Sequence, residues 1–144
     1  MVQNLAIASD HAGFELKNYI INNLNDDINL KDFGTDSNES CDFPDFAKDV
    51  CNYILNNESF RGLLICGSGV GMSIAANKIK GIRASNVVDE FTATQSVEHN
   101  NVNVLCLGSN NINEQKVLSI IDKFLKAELI QEERYLRRIS KLEG

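Results

Sequence analysis

Apolar runs that stop at polar or glycine-rich turns alternate with amphipathic segments along the whole chain, and this alternation most restricts the fold. Leu5-Ala6-Ile7-Ala8, Leu63-Leu64-Ile65-Cys66 and the run from Val102 to Leu107 read as strands, with weaker signals from Leu30 to Phe33 and from Ile82 through Ala84 to Val87. Between them, Leu16, Ile20, Ile21 and Leu24 recur at helical spacing, and Phe46, Val50 and Ile54 form a second stripe with Cys51 beside it. Further helices are predicted from about Val70 to Asn77, ending near His99, along Val117, Ile121, Phe124 and Leu125, and over a charged terminal segment at about 129–142. Pro44, the only proline, is expected in a polar loop before the second helix.

Five strands separated by helices predict a Rossmann-like three-layer α/β/α fold whose five-stranded parallel sheet has a flavodoxin-like order. With 144 residues, 43% of them hydrophobic, the chain has material for one core, and a single domain over 1–144 is expected. A net charge of -6 argues against nucleic acid or an anionic membrane as partner. No apolar run reaches the roughly 18–20 residues of a membrane span, and no secretory signal is evident at the start, so a cytoplasmic location is expected. Cys41, Cys51, Cys66 and Cys106 have no CxxC spacing, which points away from zinc and from a disulfide framework.

In open α/β sheets, ligands bind beyond the carboxyl ends of the strands. Three groups pass that filter: Asp10-His11 after strand one, Cys66-Gly67-Ser68-Gly69 after strand three, and Gly108-Ser109-Asn110 after strand five. The strongest is Cys66 through Gly71, where a thiol meets glycine amides that lead into a helix. Gly67, Gly69 and Gly71 would also suit a tight strand-to-helix turn, and they approach a dinucleotide fingerprint, with Asp89 and Glu90 downstream as ribose ligands. The spacing Gly-Ser-Gly-Val-Gly and the lack of room for a substrate domain disfavour the dinucleotide. Cys66 at a helix N-terminus suits a base or nucleophile, whereas Cys51 and Cys106 read as packing.

His11 follows Asp10 at a strand tip and is expected in the site. His99-Asn100 precedes strand five, and so belongs at the opposite end of its own sheet. If His99 serves this pocket, a neighbouring subunit must supply it, which predicts a dimer. Arg134 and Arg138, four residues apart, share one helical side and form either a solvated basic face or a phosphate clamp.

Together, Ser9-Asp10-His11-Ala12-Gly13-Phe14, Asp42-Phe43-Pro44, Ile65 through Gly71, Ala75-Ala76-Asn77-Lys78, Gly81-Ile82-Arg83-Ala84 and His99-Asn100-Asn101 resemble the ribose-5-phosphate isomerase type B family. That family includes galactose-6-phosphate isomerase subunits, and the likeness covers essentially the full chain. The resemblance implies reversible isomerisation of ribose 5-phosphate and ribulose 5-phosphate through a cis-enediolate, a pentose phosphate pathway step, with no metal or organic cofactor. It implies Cys66 as the C2 base, His99 and Asp10 in ring opening, Ser68 as the relay between O1 and O2, and the Gly67, Gly69, Val70 and Gly71 amides around the enediolate. His11, Arg134 and Arg138 match phosphate-binding positions, Asn100 matches a substrate contact, and the assembly implied is a homodimer or dimer of dimers with shared sites.

This chain is of the cysteine type, with Met72 where other members place a glutamate base. Two departures bear on the substrate: Phe43 stands where the family has tyrosine, and Asn110 where an arginine is often found. A hexose 6-phosphate, allose or galactose, is the alternative substrate. A non-catalytic phosphate- or nucleotide-binding module is the alternative from another class.

Overall fold

The computed structural model describes residues 2–143. In chain order the elements are β1 (Gln3–Ser9), α1 (Phe14–Asn23), β2 (Ile28–Asp32), α2 (Phe43–Leu55), β3 (Phe60–Cys66), α3 (Val70–Asn77), β4 (Ala84–Asn86), α4 (Glu90–Asn100), β5 (Val104–Gly108), α5 (Glu114–Lys126) and α6 (Glu133–Glu143). All strand pairs are parallel, in the order β2-β1-β3-β5-β4, as expected from the alternation of strands and helices.

The central strands are almost wholly apolar from Leu5, Gly62 and Val104 onward, because both faces are covered there. Leu5, Ile7, Leu63, Ile65, Leu105 and Leu107 face one core with Ile20, Val97, Ile121 and Phe124 from α1, α4 and α5. Their neighbours Ala6, Ala8, Leu64, Cys66, Val104 and Cys106 face the other, with Val50, Cys51 and Met72 from α2 and α3. Period-two alternation therefore sends Cys66 toward α2 and α3. Right-handed crossovers account for the helix layers, since α1 and α4 return leftward in the strand order while α2 and α3 move rightward. After β1 the chain leaves toward β2, and after β3 it leaves toward β4. The gap between the β1 and β3 tips is thus the topological switch point where such sheets open a crevice.

Several boundaries differ from the sequence expectation. β2 begins at Ile28 and ends at Asp32, and β4 is reduced to Ala84–Asn86, with Ile82 and Val87 buried outside the ladder. β5 starts at Val104, and just ahead of it the Asn103 amide donates to the Arg83 carbonyl (3.0 Å). α6 starts at Glu133, after a segment tied to α4 by the Ile130 amide donating to the Glu98 carbonyl (3.0 Å). Pro44 lies inside the first turn of α2 and not in the preceding loop. There its missing N–H has no helical acceptor to serve. Among the described residues, no helix is long and apolar enough to cross a membrane.

Candidate active site

Ser9 pairs with Ile65 across the β1–β3 ladder, so Asp10 and Cys66 end adjacent strands at the same level, roughly 5 Å apart along the sheet. Asp10 is buried, its amide donates to the Ile65 carbonyl (3.1 Å), and its Oδ1 accepts the Gly13 amide (3.1 Å). Gly13 has to be glycine at this junction, since a Cβ there would stand 2.7 Å from the Ile65 carbonyl oxygen. These bonds hold the Asp10 carboxylate at the crevice wall.

Cys66 is 5% exposed, and its Sγ accepts the Gly69 amide at 3.2 Å. That amide fixes the sulfur at the head of the glycine turn, facing the crevice beyond the strand tips. Gly69 has φ +82, and a Cβ there would stand 2.3 Å from Asn86 Oδ1, so glycine is required on both counts. Ser68 Oγ accepts the Val70 amide (3.2 Å), and the first-turn amide of Gly71 has no helical carbonyl to serve. The Phe43 ring lies over Gly71, where a Cβ would meet Cζ at 2.8 Å.

The third strand tip is laced to this cradle. The Ser109 amide donates to the Cys66 carbonyl and the Asn110 amide to the Gly67 carbonyl, both at 2.9 Å, while Ser109 Oγ donates to the Ala12 carbonyl (2.9 Å). The Asn110 side-chain amide stands 3.3 Å from where a Gly67 Cβ would be, at the edge of a cavity of about 650 Å³ lined by Ala12, Glu15, Ser109 and Asn113. Two residues the sequence reading passed over brace the cradle: Asn86 and Asn111 both donate to the Ser68 carbonyl, at 3.2 and 3.3 Å. Asn86 ends β4 and Asn111 follows β5, both at the carboxyl edge, so the same geometric filter would have found them.

His11 is half-buried, with Nδ1 accepting the Cys41 amide at 3.2 Å, which leaves Nε2 as the nitrogen available to a ligand. Cys51 and Cys106 are core thiols, as expected. Burial pushes Cys51 up to about 12 and raises Cys106 well above its ordinary value, the latter also through its neighbours Cys51 and Cys66. Neither ionises at neutral pH. Among the described residues, no group of three His, Cys, Asp or Glu side chains is placed to hold a metal ion.

The remaining candidates stand elsewhere. His99 and Asn100 end α4, which runs back to the amino end of β5, while Cys66 is level with Gly108 at its carboxyl end. The four steps from Val104 to Gly108 along β5 put about 13 Å between those levels. α6 packs beside α4 at the same far end, carrying Arg134 and Arg138, both exposed. Arg134 pairs with Glu132 (3.0 Å) and donates to the Tyr135 hydroxyl (3.0 Å). One chain therefore places these two groups of candidate residues at opposite ends of its sheet.

The family model described as ribose/galactose isomerase matches residues 5–142. A probable ribose-5-phosphate isomerase B of Mycoplasma genitalium is 43% identical over 144 residues, covering 96% of this chain and 93% of that relative. Among solved structures, ribose-5-phosphate isomerase B of Clostridium thermocellum matches with a TM-score of 0.93 at 41% identity, covering 98% of this chain and 95% of the other. The Mycoplasma genitalium ribose-5-phosphate isomerase B with bound ribulose 5-phosphate matches with a TM-score of 0.89 at 40% identity, covering 99% and 95%.

Proposed function

The chain belongs to the ribose/galactose isomerase family, and we propose that it interconverts ribose 5-phosphate and ribulose 5-phosphate with Cys66 as the base that moves the proton between C2 and C1. The observation that carries the reading is the Cys66 thiol at the switch point, with the Gly69 amide on its sulfur and the glycine cradle beyond it. The ribulose 5-phosphate bound by the Mycoplasma genitalium relative supports the pentose. The hexose and binding-module alternatives have no comparable support.

Ring opening comes first: His99 acts as the acid and Asp10 holds or relays the ring-oxygen proton. The Cys66 thiolate then removes the C2 proton, leaving a cis-enediolate, and the same thiol returns the proton to C1. Ser68 carries the hydroxyl proton between O1 and O2. The turn from Gly67 through Gly71, Val70 included, surrounds the developing oxyanion; the Gly69 and Val70 amides hold Cys66 and Ser68 in place, and the Gly71 amide is the donor left for it, where one well-placed donor contributes about 3–4 kcal/mol. His11, Arg134 and Arg138 hold the phosphate, while Asn100 and Asn110 contact the sugar phosphate and Phe43 closes the pocket with an apolar ring. Base, acid and oxyanion donors are all protein groups, so the scheme draws on no cofactor.

The two half-sites meet when a second copy docks about a two-fold axis. Val70 and Ile74 on α3, with Val88 and Phe91 beside the start of α4, are exposed around the Cys66 end, Phe91 by 71%. Leu136 and Leu142 are exposed on α6 at the His99 end. A two-fold pair brings each patch against the other twice, the arrangement of an isologous interface. His99, Asn100, Arg134 and Arg138 of one copy then complete the Cys66 site of its partner. Four free cysteines accord with a reducing, cytoplasmic setting.

The test is ketose formation from ribose 5-phosphate, run beside allose 6-phosphate and galactose 6-phosphate in buffer with chelator. Turnover of the pentose is expected, with Phe43 and Asn110 tolerated. Turnover of a hexose alone, or of none of the three, would overturn the reading.

A further inference from the structure

Among the described residues, no hydrogen bond reaches either ring nitrogen of His99, although a histidine acting as an acid needs a fixed ring orientation. What fixes it is Tyr135. The two rings stack face to face with centroids 4.4 Å apart and planes 12° from parallel. Tyr135 is the one buried residue of α6, at 8% exposure, on a helix otherwise almost entirely exposed. Its hydroxyl accepts a hydrogen bond from Arg134 Nη2 (3.0 Å), and the Arg134 guanidinium also lies 4.7 Å from the ring centre. The chain is tied on both sides of this contact, by the Ile130 amide on the Glu98 carbonyl (3.0 Å) and by Glu143 on Arg83 (2.5 Å).

Resting on the proposed roles of His99 and Arg134, we propose that Tyr135 is a positioning residue that sets the ring-opening acid and the phosphate-binding arginine as one unit. The ring face orients His99, and the hydroxyl orients Arg134. The two jobs separate by atom. Stacking leaves both His99 nitrogens at the free ring edge, where they can meet a sugar oxygen. The phenolic oxygen takes one N–H of Arg134 and Glu132 takes the one on Nε (3.0 Å), which leaves the other three of the planar fork for a phosphate.

The test uses the full-length chain with Tyr135→Phe, Tyr135→Leu and His99→Ala, and two readouts at saturating substrate. One is ketose formation from ribose 5-phosphate, which requires ring opening. The other is solvent exchange of the C1 hydrogen of ribulose 5-phosphate, an open-chain sugar, which requires only the proton-transfer half of the site. Tyr135→Leu is expected to lower kcat for ribose 5-phosphate about tenfold or more while exchange stays within about twofold. Tyr135→Phe should restore kcat while KM stays raised severalfold. Equal loss in both readouts with Tyr135→Leu would mean a merely structural role and overturn the proposal. So would an unchanged KM in Tyr135→Phe, which decides the matter even if the leucine variant fails to fold. His99→Ala separates the underlying reading: if it spares ketose formation, the role of His99 itself is wrong. If it alone shows the selective loss, only the role of Tyr135 is.

Discussion

Gly108 lies so close beneath Ser68 that a Cβ added to it would stand 2.4 Å from the Ser68 carbonyl carbon. The tip of β5 is thus the floor on which the cradle peptide rests, and the Ser68 carbonyl is pinned from above by Asn86 and Asn111. A methyl group at residue 108 must lift the Ser68 peptide, and with it the amides proposed to face the oxyanion.

Gly108→Ala is therefore expected to cost about 1–3 kcal/mol of stability through overpacking. It should also lower kcat by about 10²-fold, since misplacing an oxyanion donor is that costly. Thermal unfolding and steady-state kinetics on the same preparation check both. Full activity would mean that the cradle is not the oxyanion site.

Lys17 on α1 is buried, yet its Nζ reaches Asp32 on β2 at 2.7 and 2.9 Å. Asp32→Ala leaves that ammonium without its partner, and because Asp32 is 42% exposed the loss is expected at about 2–3 kcal/mol, below the range for a fully buried pair. Lys17→Met in the same chain should recover most of it, which urea denaturation of the single and double variants would check.

The pH dependence follows from Cys51. Its folded-state value of about 12 lies above the ordinary 9.0, so the folded chain keeps a proton that the unfolded chain loses. The contribution is intact below about pH 9 and is lost as pH rises from there toward 12. Cys106 acts in the same direction. In Cys51→Val, stability should fall less steeply between about pH 8 and pH 10.5 than in the parent, measured by urea midpoints. Parallel curves would contradict the assignment.

The proposed sharing of the site between two copies is testable by mixing. Cys66→Ala and His99→Ala should each be inactive alone, and after subunit exchange half of the pairs are mixed, each with one intact site, so about one quarter of full activity should return. Arg134→Ala should complement Cys66→Ala but not His99→Ala, because Arg134 and His99 reside on the same half-site. No recovery despite confirmed exchange would place the whole site within one chain.

The sheet, the layers and the Cys66 end of the site were legible because they depend on local pattern. Apolar runs, the glycines of the cradle and the carboxyl-end rule bring Asp10, His11 and Cys66 together without further information. The shortness of β4 was hidden, since Ile82 and Val87 are as apolar as strand residues but are buried outside the ladder. The bracing by Asn86 and Asn111 depends on where two loops cross. The Tyr135 stack depends on how α6 folds back over α4, a long-range contact that periodicity does not encode, although its place between Arg134 and Arg138 marked the segment.

The most direct measurement is kcat for ribose 5-phosphate in Cys66→Ala beside the parent chain, with folding verified. Removal of the base is expected to lower kcat by about 10²–10⁴-fold and to abolish exchange of the C1 hydrogen of ribulose 5-phosphate with solvent. Activity and exchange within a few-fold of the parent would contradict the account, because the proton would then travel by another group.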